Sequence, residues 1–540
     1  MSGFRPFVRQ LGFQPGNQLN PLADNTDGAA PDNSDQVVAM VGRFTRGRID
    51  RPFRVNRSNL YIKTGKADTM RASLLNEARL QLRDALFNGA QEAVVYRLNT
   101  SAATKKWALI NVGNGATTYA VGGADLTDAT YSLALLHHDC HNDGIKVSVH
   151  AEPLVTGGIP VLNPTLTIRV LDSEGNRLHE FTGSVNPDAK DDYGASAYLP
   201  DVAANLTESV TLVVNAAFTG VPTTSNAYGR GADGRDQWPT SAVLDCFVEG
   251  ATTYLAGDYD RAVDALRNTT DPFGYIISGG TQVLSLLAKL ADFAIEANIP
   301  MKLDYSGNLD PEAVLTLDAA LGLDTHYVHK YWAPLEAEDP ASGGRAVWGT
   351  AGLNAGYSCR RNARVNAKGF APKNYPIAGK EWPIQRTATR QLHKPSEQQL
   401  SDLAKAQINP VIFELYNGGG RYVYTDCLTA AKTRVSYKKL IPVGEMSASI
   451  DNWVAMYSKE ILLQPMESYI KSMNTFLQNL FEDAEASKWL KKSKNLEGNA
   501  AFLFSVVPDE VRSTDVVHIN YWTSFDGVAR QGFITQTLTR

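Results

Sequence analysis

The sequence predicts a mixed α/β, multidomain chain of α+β layout. Its α/β core carries C-terminal helices and a β-hairpin, and a β-rich domain is inserted into it. Three observations predict this. The chain has 540 residues, and single hydrophobic cores stop growing at roughly 250–300 residues, so about three domains are expected. Helical and strand patterns alternate on both sides of a stretch, 120–240, that holds only short alternating strands. From residue 431 onward, two long apolar-striped helices precede strand patterns that run to the end.

Taken in order, residues 1–36 are rich in Pro, Gly, Asn and Asp, with apolar Phe4, Phe7, Val8 and Leu11 near the start. Such a segment cannot bury its own backbone. A Phe-rich start is also ill suited to water, so the segment reads as an arm laid on another surface. The first part of the core, 37–119, opens with a buried-type strand, VVAMVG. Arg43, Arg46, Arg48, Arg51, Arg54 and Arg57 follow. Without aromatic stacking platforms or a groove motif, they read as a solvated or inter-subunit polar loop, not a nucleic-acid site. Leu74, Leu75, Ala78, Leu82, Ala85 and Leu86 predict a helix over 68–88, and AVVYRLN a strand.

In 120–240 the strands YSLALL, IKVSVHAE, TLTIRVLD and SVTLVVN are separated by turn residues such as DSEGN. The second part of the core, 241–430, starts with a surface loop and FGYIISGG. It continues with a helix over 282–297, the strand IPMKLDY, a helix over Pro311–Leu321 and the strand THYVHKYW. A Gly/Asn/Arg-rich loop then reaches about Arg390, before a helix over 397–406 and strands flanking NGGG. In 431–540 one apolar stripe runs through Trp453, Tyr457, Tyr469, Met473 and Leu477, with Pro465 as a kink or first-turn proline. Three strand segments, AAFLFSVV, VVHINYW and RQGFITQTL, close the chain, with Asp526-Gly527 as a hairpin signal between the last two.

Bulk properties exclude several classes. With 43% hydrophobic residues, 20% charged and a net charge of −5, the chain is neither uniformly disordered nor basic enough for a nucleic-acid partner. No apolar run reaches the ~18 residues of a membrane span, so no membrane contact is expected. The start lacks the apolar region of a secretory signal. Cys140, Cys246, Cys359 and Cys427 form no CxxC pair, which fits folding in a reducing cytoplasm.

Chemistry is sparse. His137-His138-Asp139-Cys140-His141 offers zinc-type ligands, but adjacent ligands rarely converge on one centre, so the segment reads as a polar turn. Asn417-Gly418-Gly419-Gly420 lacks the Lys-Ser/Thr of a phosphate loop and reads as a tight hairpin turn. Asp304, at a strand end, is the one lone candidate for a catalytic carboxylate. No catalytic, cofactor-binding or metal-ligating residue is assigned, and no enzyme activity is expected.

Three stretches together resemble the contractile bacteriophage (myophage) tail sheath family. They are VVAMVGRFTRGRIDRPFRVNRSNLYIKTG, then EQQLSDLAKAQINPVIFELYNGGGRYVYTDCL, and the C-terminal pair of helices with strands ending in FDGVARQGFITQTLTR. Val-Tyr-Thr-Asp-Cys replaces the aromatic–Gly–Ala–Arg run that the family often shows in the second stretch. The resemblance implies a non-enzymatic structural subunit that polymerises as stacked hexameric rings around a tail tube and contracts to drive the tube through the host envelope. It implies a sheath core domain, an inserted β-rich outer domain and a tube-proximal C-terminal domain. It also implies strand exchange between subunits, through the arm (Phe4, Phe7, Val8) and a donated strand over 532–539 (Phe533, Ile534, Gln536, Leu538). Lys488, Lys491, Lys492 and Lys494 would meet the tube, and Arg43, Arg46, Arg48 and Arg51 would make inter-subunit polar contacts. Expected partners are further copies of the chain, the tail tube protein, and baseplate and tail terminator proteins, in a virion tail assembled in the host cytoplasm. The alternatives are the sheath of a related contractile injection system (R-type bacteriocin or secretion system), an α/β enzyme with an accessory β domain, and a receptor-binding virion protein.

Overall fold

A computed structural model describes residues 34–112, 117–151, 155–156, 159–160, 165–191, 193–218, 240–341 and 343–536. Phe4, Phe7, Val8 and Leu538 lie outside the described residues. The core is one eight-stranded sheet. Its strands in chain order are β1 (Val37–Gly42), β2 (Phe53–Asn56), β3 (Glu92–Arg97), β4 (Tyr275–Ile277), β5 (Met301–Tyr305), β6 (Val328–Trp332), β7 (Ile408–Tyr416) and β8 (Gly419–Tyr424). They lie in the order β2-β3-β1-β4-β5-β6-β7-β8. The six central strands are parallel, and β2 and β8 close the two ends antiparallel.

Helices cover both faces, which is why the central strands read as unbroken apolar runs. They are α1 (Glu77–Asn88), α2 (Ala256–Arg267), α3 (Leu284–Ala297), α4 (Pro311–Leu321), α5 (Ala351–Asn362), α6 (Glu397–Lys405), α7 (Ile441–Glu460) and α8 (Met466–Ala486). Alternation along β1 splits the core in two. Val38 and Met40 join α1, α5, α7 and α8, whereas Ala39 and Val41 join α2, α3, α4 and α6.

Residues 104–248 hold most of the remaining strands. A four-stranded sheet (Val210–Val214, Leu133–His137, Ala108–Val112, Thr117–Val121) faces a three-stranded one (Arg177–Ser184, Thr165–Asp172, Ile145–Ala151). Ile110, Leu135, Val147, Ile168 and Phe181 pack between them in a cluster separate from the two core clusters. The segment leaves and re-enters the core side by side, because Lys105 pairs with Phe247 and Thr104 with Val248.

The structure corrects the sequence reading at five places. The β-rich unit reaches back to residue 104, so its first strands fall inside 37–119. Helix 68–88 narrows to α1, preceded by a short 3-10 turn at Leu74–Asn76. Two helices, α2 and α5, stand where loops were expected. Lastly, RQGFITQTL adds no strand among its described residues. The terminal hairpin is β9 (Phe502–Pro508) with β10 (Val517–Thr523), and Asp526-Gly527 lies beyond it. Two further features stand close to where the sequence puts them: Asn417-Gly418 turns β7 tightly into β8, with Gly418 at φ 106°, and Pro465 holds the N-cap position of α8, just before its first turn and after the break that ends α7. Among the described residues, no helix is long and apolar enough to cross a membrane.

Candidate assembly surface

In doubly wound sheets, ligands bind where strand order reverses, at the carboxyl ends of the strands. Here that point lies between β1 and β4, and the chain itself fills it. Asp304, at the end of β5, accepts hydrogen bonds from the backbone N–H of Thr350 (2.8 Å) and Ala351 (2.6 Å) at the start of α5. Glu77 accepts from the Gly349 N–H at 2.7 Å, and Gln81 Nε2 donates to both carboxylates. A helix N-terminus is a ready-made anion site, and its anion is the protein's own Asp304. Packing is tight as well: a Cβ on Gly349 would lie 2.3 Å from Asp304, and one on Gly280 2.2 Å from Glu77. Burial pushes Glu77 up to about 8, eased by the Gly349 N–H and reinforced by Asp304. Burial likewise pushes Asp304 up to about 6, against the pull of the Thr350 and Ala351 amides. Its carboxylate is committed to positioning α5.

The arginine cluster is engaged inside the chain. Arg43 pairs with Glu249 at 3.0 Å. Arg46, 1% exposed, pairs with Asp143 and lies 3.8 Å from Asp172. Burial works against its charge, but Asp143 outweighs that and leaves the guanidinium pKa above its ordinary value. Arg48 pairs with Asp50 at 2.6 Å and donates to the Glu208 carbonyl, and Arg51 pairs with the Glu208 carboxylate. The Arg46 pairs with Asp143 and Asp172 and the contacts of Arg48 and Arg51 with Glu208 join core to β-rich unit. Within the subunit, the side chains of Arg43 and Arg46 are committed to these ion pairs.

The pentapeptide 137–141 also divides. His138 turns outward to Thr211 (2.8 Å) and Lys105 (3.4 Å). His137, Asp139 and His141 turn inward, which a strand end followed by a turn permits. His179, on the strand facing them, completes a group that residue-by-residue reading of the pentapeptide could not find.

At the C-terminus, β9 and β10 form a two-stranded sheet, and among the described residues no third strand pairs with either outer edge. Alternation sets its inner face. Phe502, Phe504 and Tyr521 pack around Phe481 of α8, with ring centroids 5.2, 6.1 and 5.5 Å away. Trp522 points outward, 52% exposed. The Tyr521 hydroxyl donates to Asp451 of α7. Beyond β10 the chain is pinned by buried Phe525, by Lys491 on Asp526 (2.7 Å) and by Arg530 on Asp426 (2.7 Å from Nε). Residues 531–536 are then exposed; Phe533 and Ile534 are 94% and 98% exposed, and Gln536 lies beside them. Lys488, Lys491, Lys492 and Lys494 are exposed on the turn between α8 and the hairpin. Lys491 is held by Asp526.

No protein-family model matches the chain, and no curated protein sequence matches it. Among solved structures, the sheath tail protein of Desulfitobacterium hafniense is similar over 93% of this chain and 96% of that chain, at 12% identity and a TM-score of 0.51. A chain of the anti-feeding prophage baseplate is similar over 55% of this chain and 77% of that chain (14% identity, TM-score 0.42). A chain of the PVC extracellular contractile injection system sheath complex in its contracted state is similar over 52% and 74% (12% identity, TM-score 0.40). With the first of these matched nearly end to end, this chain has the fold of a sheath tail protein.

Proposed function

We propose that the chain is a structural, non-enzymatic subunit of a contractile phage tail sheath. It would polymerise as stacked six-membered rings around a tail tube and contract by rigid-body rotation of its cores. The observation that carries this reading is the terminal hairpin. Two strands with both outer edges open are marginal on their own, and open edges invite pairing with another chain. A neighbour's extended segment would complete the sheet by strand addition, with main-chain bonds giving affinity and alternate side chains giving register. The segment carrying Phe533, Ile534, Gln536 and Leu538 fits one such donation, and the arm with Phe4, Phe7 and Val8 fits the other. Lys488, Lys492 and Lys494 would face an acidic tube. Residues 104–248 would form the inserted outer domain. Of the four arginines, Arg51, with half its side chain exposed, is best placed to reach a neighbouring subunit.

Negative-stain electron microscopy of the full chain tests this. Hollow sleeves with six-fold end views are expected. Deleting 531–540, or replacing Phe533 and Ile534 together by Asp, should stop long polymers and leave a folded subunit. Uniform small particles that stay small on concentration would overturn the proposal.

A further inference from the structure

We propose that His137, Asp139 and His179 bind one divalent metal ion of the zinc class, clamping the two sheets of the β-rich unit together at its junction with the core. One ligand atom from each of the three lies within 4.8 Å of the others, the one such group among the described residues. A tetrahedral site with bonds of about 2.0–2.1 Å spaces its ligands roughly 3.3 Å apart. Small side-chain rotations close the remaining gap. Imidazole and carboxylate together suit zinc and its neighbours in the first transition row.

The polar atoms independently point to a ligand. His137 and Asp139 are 5% and 3% exposed. Both ring nitrogens of His137 and Oδ1 of Asp139 have no hydrogen-bond partner, and neither has Nδ1 of His141, whose ring centroid is 4.7 Å from that of His137. Buried polar atoms are nearly always satisfied, so an unpartnered imidazole and an unpartnered carboxylate oxygen meeting in one place point to an occupant. The other carboxylate oxygen of Asp139 is already held by Lys63 at 3.1 Å. That leaves Oδ1 free and gives the carboxylate the outer-shell support that metal ligands usually have. His141 stands next to the group as a fourth donor, or a water completes the shell.

The position explains what the ion would do. His137 ends a strand of the four-stranded sheet, and His179 lies on an edge strand of the three-stranded sheet. Asp139 belongs to the turn that touches the core: its carbonyl accepts from the Gly47 N–H at 2.7 Å, and Arg97 donates to the next carbonyl, that of Cys140. One ion would therefore tie both sheets to the loop that meets the core, independently of the assembly reading.

The test uses the full chain without a polyhistidine tag. The chain purified with zinc should carry about one zinc per chain by elemental analysis, and the chelator-treated chain should bind about one equivalent of cobalt(II) with the visible bands of a tetrahedral site. Zinc should raise its melting temperature through linkage. His179→Gln and His137→Gln should lose this binding, while His138→Gln, altered on the outward side, keeps it. A wild-type chain that is folded yet takes up neither zinc nor cobalt stoichiometrically would overturn the proposal, whatever the variants do. So would binding that survives His179→Gln and vanishes in His138→Gln.

Discussion

Glu445 and Glu77 are both fully enclosed carboxylates, yet their surroundings move them in opposite directions. Burial alone would raise Glu445, but Arg361 and Lys302 outweigh it and hold the group at about 2. Its folded pKa is below its unfolded one, so its stabilisation is present above about 4.5 and lost as pH falls through about 2. Glu445→Gln leaves Arg361 and Lys302 buried without their anion. It should cost about 3–5 kcal/mol, read as a lower denaturant midpoint at neutral pH. Glu77, raised to about 8, has the reverse sign: its favourable term is full below about 4.5 and is lost as pH rises through about 8. Each pKa unit is worth about 1.4 kcal/mol. Glu77→Gln keeps the acceptor for the Gly349 N–H and should be more stable than wild type at pH ~9 by up to about 5 kcal/mol. Equal stability at that pH would show that the carboxylate finds another counter-charge. None of this was legible in the sequence. Asp304 stands out as a lone strand-end carboxylate, but its backbone partners, Thr350 and Ala351, lie far along the chain in a segment that reads as loop.

That segment is α5, and it shows why some elements are visible in a sequence and others are not. α4 was placed correctly because its ends are signalled locally: Asp310 accepts from the Ala313 N–H at 2.8 Å, Pro311 opens the first turn, and Gly322 closes it at φ 67°. The sequence of α5, AGLNAGYSCRRN, has two glycines and no apolar stripe, because the helix is buried nearly all round; only Arg360 is exposed. A stripe needs one wet face, and α5 has none. The glycines instead let α1 approach. A Cβ on Gly352 would lie 2.2 Å from the Gln81 carbonyl oxygen, and one on Gly356 2.6 Å from that of Ala85. Backbone cannot move aside as a side-chain tip can, so Gly356→Ala should destabilise by about 1–3 kcal/mol, despite alanine's better helix propensity. A thermal transition unchanged or raised in Gly356→Ala would mean that the helices separate at little cost. The terminal hairpin was half legible for a related reason. Alternation marks β9 and β10, while RQGFITQTL, rich in strand-forming residues but with Phe533 and Ile534 adjacent, finds no strand partner for its described residues within its own subunit.

At the scale of the molecule, the chain passes between the core and the β-rich unit through one strand-paired neck, and the two also touch along a polar junction. Their apolar clusters are distinct, and the neck is a pair of short antiparallel strands in which Lys105 faces Phe247. The change to short alternating strands made the unit visible in the sequence, though not its first strands, Thr104–Lys105 and Ala108–Val112, which look like any other core strand. Polar contacts stitch the junction, and excision would open their core-side members to solvent: Arg46 loses Asp143, Arg51 loses Glu208, and Arg97 loses the Cys140 carbonyl and Asn142. Exposed arginines carry little penalty, and segments whose ends meet side by side tolerate removal. Replacing 106–246 by Asn-Gly, which favours the two-residue turn that antiparallel strands need, should therefore give a soluble chain with a cooperative melt. The terminal hairpin and the tail beyond it, where assembly is proposed, lie outside the excised segment. Sleeves should still form and should be thinner in projection, while a chain that folds but no longer polymerises would move the subunit contacts from the hairpin to the β-rich unit.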